Sequence, residues 1–565
     1  MANFFSDNED LQAHFQEIDL QQIVDLLEHG YADDAGPANY GEAVDIYRES
    51  LDLLGAITAD YIAPRSEAID EAGSTLTDGK VSYAKATDEA RQKLAESGFM
   101  GVMLPREHGG ASFPSTIYMM MIEMVSRADA SLMTLFGYQD VGELIARFGT
   151  EEQSAEFLPG LASGDSIGAI VLSEPGAGSD LQAIKVKAFE DESGQWRLNG
   201  VKHFISNGCG DVLMVLARSE EKIANIFGLS LFVCPKSDRV KVAKVEKKMG
   251  LHGSPTCELV FDDAPAQLIG RRKAGLTKYI LESLEQARFS VAAQSLGIAE
   301  GAYQMARDYS WERVQFGQKI CDFPAVDELL AGMQLSLLSS RAMLYESVKW
   351  LDLKVHLSET ISHGDLDEDA LADAKGELRV ASRYANLLSP LVKYVITEDC
   401  QAVCINAQQI FGGLGYMRET GVERLVRDVR ITTIYEGTSQ VQVASSLKHI
   451  MADVLMDLFD EWADDEYPAK YQDIAAQIAE NRQVFHEFLE AVKGQGNARL
   501  ADAAARDLAD MYSQVFGAYA LLRHLRDDAE REQLTRQYVV DAHAFATARL
   551  VALKKGRYDR WLQQD

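Results

Sequence analysis

The stretch Tyr435-Glu436-Gly437-Thr438-Ser439-Gln440 places one carboxylate among turn-forming residues just ahead of an expected helix. Ser439 with Gln442 fits a capping box, which would start that helix at Ser439 and hold Glu436 in the preceding turn, beside backbone donors. A carboxylate there can take a proton from a bound substrate, although a lone glutamate in such a turn is usually exposed and structural. Further upstream, Ala169-Ile170-Val171-Leu172-Ser173-Glu174-Pro175-Gly176-Ala177-Gly178-Ser179-Asp180 reads as a strand running into a turn with two glycines. Its backbone donors suit an anionic or carbonyl-rich ligand, or simply an ordinary turn. About thirty residues on, Phe204 and Ser206 share one face of a strand, so a ring and a hydroxyl can meet one planar ligand; a core Phe with a satisfied Ser is the alternative.

Two arginines and a glycine run complete the set. Arg313, in Trp311-Glu312-Arg313-Val314-Gln315-Phe316-Gly317, carries the forked donor that matches a pyrophosphate, although a Glu-Arg pair on a helix also reads as a solvated face. Arg288 stands in an apolar helical background, where a surface salt bridge is the other reading. Gln409-Ile410-Phe411-Gly412-Gly413-Leu414-Gly415-Tyr416 follows a helix and permits close backbone approach.

Three kinds of segment must position these residues. Apolar residues three and four apart recur through 40–105 and, after the Pro/Gly break at Leu104–Pro114, from Thr116 to about Phe148, predicting an all-helical region to about 165. Between about 166 and 275 the segments are short, β-rich and separated by Gly, Asn, Asp or Pro, with no helical crossover between them, which predicts a compact sheet rather than a parallel α/β unit. Long helices are expected from about 276 to 348 and 370 to 410, and three more after 452, ending near Val492, Arg526 and Lys555. The expected class is α+β, divided as 1–165, 166–275, 276–450 and 451–565.

Composition narrows the partners. A formal charge of −32 disfavours nucleic acid and anionic membrane. No apolar run approaches the roughly 20 residues of a spanning helix, and the acidic N-terminus does not read as a secretory signal, so a cytoplasmic protein without integral membrane association is expected. The six cysteines show neither CxxC spacing nor partnered histidines, which points to scattered thiols and no metal. No GxGxxG follows a first strand and opens a helix, against a nucleotide-first Rossmann reading.

Together these segments resemble the acyl-CoA dehydrogenase family from about 85 to 448. The likeness is carried by VLSEPGAGSD, by QQIFGGLGYMRETGVERLVRDVR and by YEGTSQ, and the remainder resembles larger members with an additional C-terminal helical domain. The resemblance implies an N-terminal helical domain, a middle β domain and a C-terminal four-helix domain binding FAD and an acyl-CoA. It makes Glu436 the catalytic base. Leu172, Ser173, Phe204, Ser206, Arg313, Phe316, Gln409, Gly413, Thr438 and Gln440 become cofactor contacts, those of Arg313 and Phe316 made across a subunit interface. Ser179, Arg288, Glu436 and Gly437 face the substrate. Phe204 stands where Trp is commoner, and Ser173 and Ser206 where Thr is frequent. A subset of the family carries its base beside the arginine of the earlier helix, a position that is Ala287 here.

The implied reaction is α,β-dehydrogenation of an acyl-CoA to the trans-2-enoyl-CoA, with electrons passed to electron-transferring flavoprotein by a homodimer. An acyl-CoA oxidase and a DNA-associated relative are the alternatives. The acyl group stays open among fatty, aromatic, alicyclic and 3-methylmercaptopropionyl chains. Met119, Met120, Met121, Met124, Met133, Phe136 and Tyr138 are expected either to line part of its pocket or to pack between helices.

Overall fold

The structure, a computed structural model, describes residues 2–33, 35–364 and 366–562. It divides into two units, Met1–Asn8 with Val24–Ile298, and Glu9–Ile23 with Ala299–Asp565.

In the first unit the β-rich segments form seven strands: β1 (Gly168–Val171), β2 (Lys187–Glu190), β3 (Trp196–Ser206), β4 (Val212–Arg218), β5 (Leu229–Pro235), β6 (Val240–Val245) and β7 (Thr256–Ile269). Antiparallel pairing runs β4–β5–β7–β3–β2, and the parallel pair Lys187 with Arg218 joins β2 back to β4, closing the circuit. β1 adds parallel to β4, and β6 adds to β7. Closure leaves β4 apolar on both faces, since both are covered. Val212, Met214 and Leu216 pack with Val141, Leu144 and Leu158 of the helical region, while Leu213, Val215 and Ala217 pack with Phe232, Leu259 and Phe261 inside the sheet.

The run expected as one periodic stretch from Thr116 to Phe148 is three helices, Ser115–Ala128, Ala130–Phe136 and Gln139–Phe148. Asp129 breaks it: in extended conformation, its carboxylate accepts from the Ser131 and Leu132 amides at 2.8 and 3.1 Å, capping the next helix. Met119, Met120, Met121, Met124, Met133 and Phe136 are all buried, as helix packing requires, and Tyr138 is half-buried.

The second unit is helical: α1 (Glu9–Glu17), the C-terminal part of α2 (Leu281–Glu312), α3 (Pro324–His363), α4 (Glu368–Phe411), α5 (Val422–Val429), α6 (Ser439–Met451), α7 (Met456–Asp464), α8 (Gln472–Lys493), α9 (Ala498–Arg523) and α10 (Ala529–Lys554). The last three match the three stretches expected after 452, and Asn497 caps α9 after the Lys493–Asn497 break. These helices are built into the unit. Leu335, Leu338 and Ala342 of α3 share a core with Ala520 and Leu521 of α9 and Leu534 of α10, and Phe459, Trp462, Phe485, Tyr512 and Tyr519 form an aromatic cluster.

A buried ionic network ties α1 in. The Arg341 guanidinium donates to Asp10 at 2.5 Å and Glu300 at 2.9 Å, and Arg531 donates to Asp10 at 2.6 Å. His524 bridges Glu17 and Glu346 at 3.2 and 3.0 Å. Burial opposes ionisation of Asp10, and the two arginines with His14 overcome it, holding the carboxyl well below the usual range. All six cysteines are free, and no helix of the described residues is long and apolar enough to cross a membrane.

Candidate active site

In the first unit, the turn after β1 and the end of β3 are one construction. Lys202, fully buried on β3, donates to the Leu172 carbonyl at 2.7 Å and pairs with Glu174 at 3.0 Å. Glu174 accepts from the Lys185 and Val186 amides at 2.7 and 2.9 Å, and the His203 amide donates to the Ser173 carbonyl at 2.9 Å. Burial lowers the Lys202 ammonium to about 8, and the Glu174 carboxylate works against that fall. Leu172 and Ser173 are thereby fixed beside Phe204.

Phe204 is presented by a bulge. The β3–β7 register slips between Lys202 and Ile205, and Phe204 takes a left-handed φ of 60°, rare for a bulky residue. Its neighbour Ile205 is buried, while the Phe204 ring is 62% exposed with His203 stacked on it, centroids 3.8 Å apart. Ser206, two residues on, is half-buried. Ser179 is exposed in the glycine turn and Arg288 half-buried on α2. His203, Glu246 and Glu258 have ligand atoms within 4.8 Å of one another, but Glu246 is already engaged by His203 at 2.9 Å and Lys244 at 2.5 Å.

In the second unit, the helix expected from 276 to 348 is interrupted. α2 ends at Glu312, and Val314–Gln315 pairs antiparallel with Gln318–Lys319, so Arg313 leads into a hairpin instead of lying on a helix face. The cause is local: Phe316 and Gly317 are the two turn residues, with φ of 52° and 86°, as a tight two-residue hairpin turn demands. Phe316 at its tip is 97% exposed. Gln409 is exposed in the last turn of α4, and Gly412 and Gly413 follow that helix with open space where a Cβ would stand.

The Glu436 turn is held by side chains of two helices. Glu436 has φ 52° and Gly437 φ 99°, two consecutive left-handed residues. The Gln442 amide donates to the Glu436 and Gly437 carbonyls at 2.9 and 3.1 Å, and the buried Lys393 ammonium of α4 donates to the Gly437 carbonyl at 2.7 Å. A Cβ on Gly437 would stand 2.5 Å from Gln442 Nε2 and push that amide off the turn, and the φ of 99° itself favours glycine. α6 starts at Ser439 as expected, but its cap is Thr438, whose hydroxyl accepts from the Val441 amide, and not a Ser439–Gln442 box. Gln442 is spent on the turn, and Ser439 donates to Glu398 at 2.5 Å. Gln440 is exposed and Glu436 half-buried.

The structure thus gathers Leu172, Ser173, Phe204 and Ser206 in the first unit, and Glu436, Gly437 and Thr438 in the second. Sequence reading passed over the roles of Lys202, Glu174, Lys393 and Glu398, and gave Gln442 to a capping box, whereas all five hold these turns. The signal for Lys393 is a lone charge inside the apolar run Leu391-Val392-Lys393-Tyr394-Val395-Ile396.

Three family models match along the chain: the acyl-CoA dehydrogenase N-terminal domain over residues 48–165, the middle domain over 169–264, and the C-terminal domain over 275–362 and 370–451. The chain belongs to the acyl-CoA dehydrogenase family, whose members dehydrogenate acyl-CoA thioesters with FAD. It is 34% identical over 367 residues to an acyl-CoA dehydrogenase of Bacillus subtilis, covering 64% of this chain and 89% of that one. It is 32% identical over 426 residues to the 3-methylmercaptopropionyl-CoA dehydrogenase of Ruegeria pomeroyi, covering 71% and 69%. In fold it is similar to an acyl-CoA dehydrogenase of Bacillus anthracis complexed with FAD, with a TM-score of 0.75 over 90% of this chain and 87% of that one at 22% identity.

The residues present fit FAD. Phe204 and Phe316 expose apolar ring surface that a planar group would cover, both held out by strained backbone, and Gly412 and Gly413 leave their backbone open to a phosphate chain.

Proposed function

We propose that Glu436 is the base of an α,β-dehydrogenation of acyl-CoA to the trans-2-enoyl-CoA, and that the acceptor is electron-transferring flavoprotein. The observation that carries the reading is the Glu436 turn: two left-handed residues held by Lys393 and Gln442, with the carboxylate at its apex. Strain maintained by dedicated donors marks a position that serves chemistry more than stability.

The Glu436 carboxylate takes the α hydrogen as a proton. The electron pair of that C–H bond becomes the new C=C bond as the β hydrogen leaves with its own pair. FAD, when bound, supplies the acceptor for that hydride. Because a thioester α proton is weakly acidic, the carbonyl must be polarised, a task we give to the Glu436 backbone N–H. Substrate closing over the carboxylate would exclude water and strengthen the base. Leu172, Ser173, Phe204, Ser206, Arg313, Phe316, Gln409, Gly413, Thr438 and Gln440 would hold the cofactor, and Ser179, Arg288 and Gly437 the substrate. A homodimer in the cytoplasm, divided at about 165, 275 and 450, belongs to the same proposal.

The test is anaerobic bleaching of the flavin by a panel of short, long, branched, aromatic and methylthio-substituted acyl-CoAs. Rapid bleaching by one class, abolished in Glu436→Gln with FAD retained, is expected; undiminished bleaching in that variant overturns the assignment. Fast peroxide formation in air would instead favour an oxidase.

A further inference from the structure

The helices beyond 452 reach the Glu436 turn through three side chains. Ser439, three residues after Glu436 and the first residue of α6, donates its hydroxyl to Glu398 Oε1 of α4 at 2.5 Å. The other carboxylate oxygen, Glu398 Oε2, lies 3.6 Å from Arg506 Nη2 on α9. The Arg506 guanidinium sits 5.5 Å over the Tyr394 ring and 4.0 Å from Asp510, and Tyr394 donates to Asp510 at 2.6 Å.

We infer that Glu398 is a positioning residue for Glu436, and that Arg506 of the appended helices acts on the catalytic turn through it. Ser439 is fully buried in a turn whose neighbours 436 and 437 are both left-handed, so an error in its placement passes along three rigid residues to the carboxylate. The Ser439 hydroxyl is held by this bond to a carboxylate only while Glu398 is correctly aimed. Arg506 is the cation that faces the second carboxylate oxygen of Glu398 and so aims it, and the ring of Tyr394 beneath it limits where its guanidinium can go. The appended region therefore contributes to the geometry of proton abstraction as well as to stability. This reading rests on Glu436 being the base.

The experiment measures the limiting rate of anaerobic flavin reduction in wild type, Glu398→Ala, Arg506→Ala, the double variant and Glu436→Gln. FAD content and melting temperature are recorded for each. Glu398→Ala is expected to slow reduction by about tenfold or more, since sub-ångström to 1 Å misplacement of a catalytic group costs up to roughly a hundredfold. Arg506→Ala, removing an exposed and screened partner, is expected to slow it about two- to fivefold. Arg506→Lys should restore part of that loss. In the double variant Arg506→Ala should add nothing to Glu398→Ala, and its effect in the wild-type background should shrink in high salt. FAD content should stay constant throughout. Additive losses, or losses that track melting temperature or FAD content, overturn the inference while leaving the base assignment intact. Normal reduction in Glu436→Gln overturns the base assignment itself.

Discussion

Lys393 reaches from within a 44-residue helix to the carbonyl of Gly437, 2.7 Å away, with its ammonium fully buried. One buried cation thus fixes the residue that follows Glu436. Because Gln442 donates to the same carbonyl and to that of Glu436, the turn is held from two elements, α4 and α6.

Replacing this cation should separate turn geometry from cofactor binding. Lys393→Met keeps the side-chain length and removes a charged donor to a buried carbonyl, a loss of about 1.5–3 kcal/mol. Flavin reduction should slow by at least tenfold with FAD content unchanged, measured by anaerobic stopped-flow absorbance. An unchanged rate would remove Lys393 from the turn's supports.

The first unit's counterpart is the Lys202–Glu174 pair, in which both side chains are almost fully buried. Glu174→Gln leaves Lys202 without its anion and weakens the bonds to the Lys185 and Val186 amides. Breaking one partner of a buried pair costs about 3–5 kcal/mol. Urea denaturation should report a loss of that order, and the reversed pair would not restore it because the Leu172 carbonyl needs a donor.

Phe316 invites the opposite expectation. It is 97% exposed at a hairpin tip, so Phe316→Ala should change stability of the FAD-free protein by less than about 0.5 kcal/mol, in line with surface positions generally. FAD retention through gel filtration should nevertheless fall if the ring covers the cofactor. Equal retention would withdraw Phe316 from the cofactor site.

Asp399 provides the pH test. Burial first, then Asp510 and Glu398, push its carboxyl up to about 7 from an unfolded value near 3.8. Between those values the folded state binds the extra proton, so this group's contribution to stability falls as pH rises from about 4 to 7 and then levels off. Asp399→Asn removes that slope. Its melting temperature should exceed wild type at pH 8, by on the order of 2–4 kcal/mol in free energy at about 1.4 kcal/mol per pKa unit, and the gain should vanish near pH 4.

Much of this was legible in the sequence, for identifiable reasons. The strands and the three terminal helices declare themselves through periodicity and Gly or Asn punctuation, and Glu436, Phe204 and Phe316 lie in motifs whose order is distinctive. Periodicity could not see that Asp129 caps a helix inside an apolar run, because an extended residue between two helices leaves the apolar spacing nearly intact. Nor could it see that Phe316-Gly317 turns a hairpin, since two-residue strands carry no pattern. The cap at the last helix of the site was displaced by one residue because Thr438 and Ser439 are chemically alike, and tertiary bonds to Glu398 and from Gln442 decided between them. Lys202 and Lys393 act through partners distant in sequence, Lys202 on the Leu172 carbonyl 30 residues away and Lys393 on that of Gly437 44 residues away, which no local spacing encodes.

The ionic network around α1 sets an order of events during synthesis. Asp10 meets Arg531 across 521 residues, and Glu17 meets His524 across 507. At roughly 5–20 residues per second, the ribosome needs about half a minute to two minutes to make the second partner after the first. For that time α1 carries Leu11 and Phe15, both buried in the finished protein, before Arg531 and His524 exist to complete its ionic contacts. α1 is therefore fully locked only after His524 and Arg531 have been made, and until then it is a natural client for a chaperone.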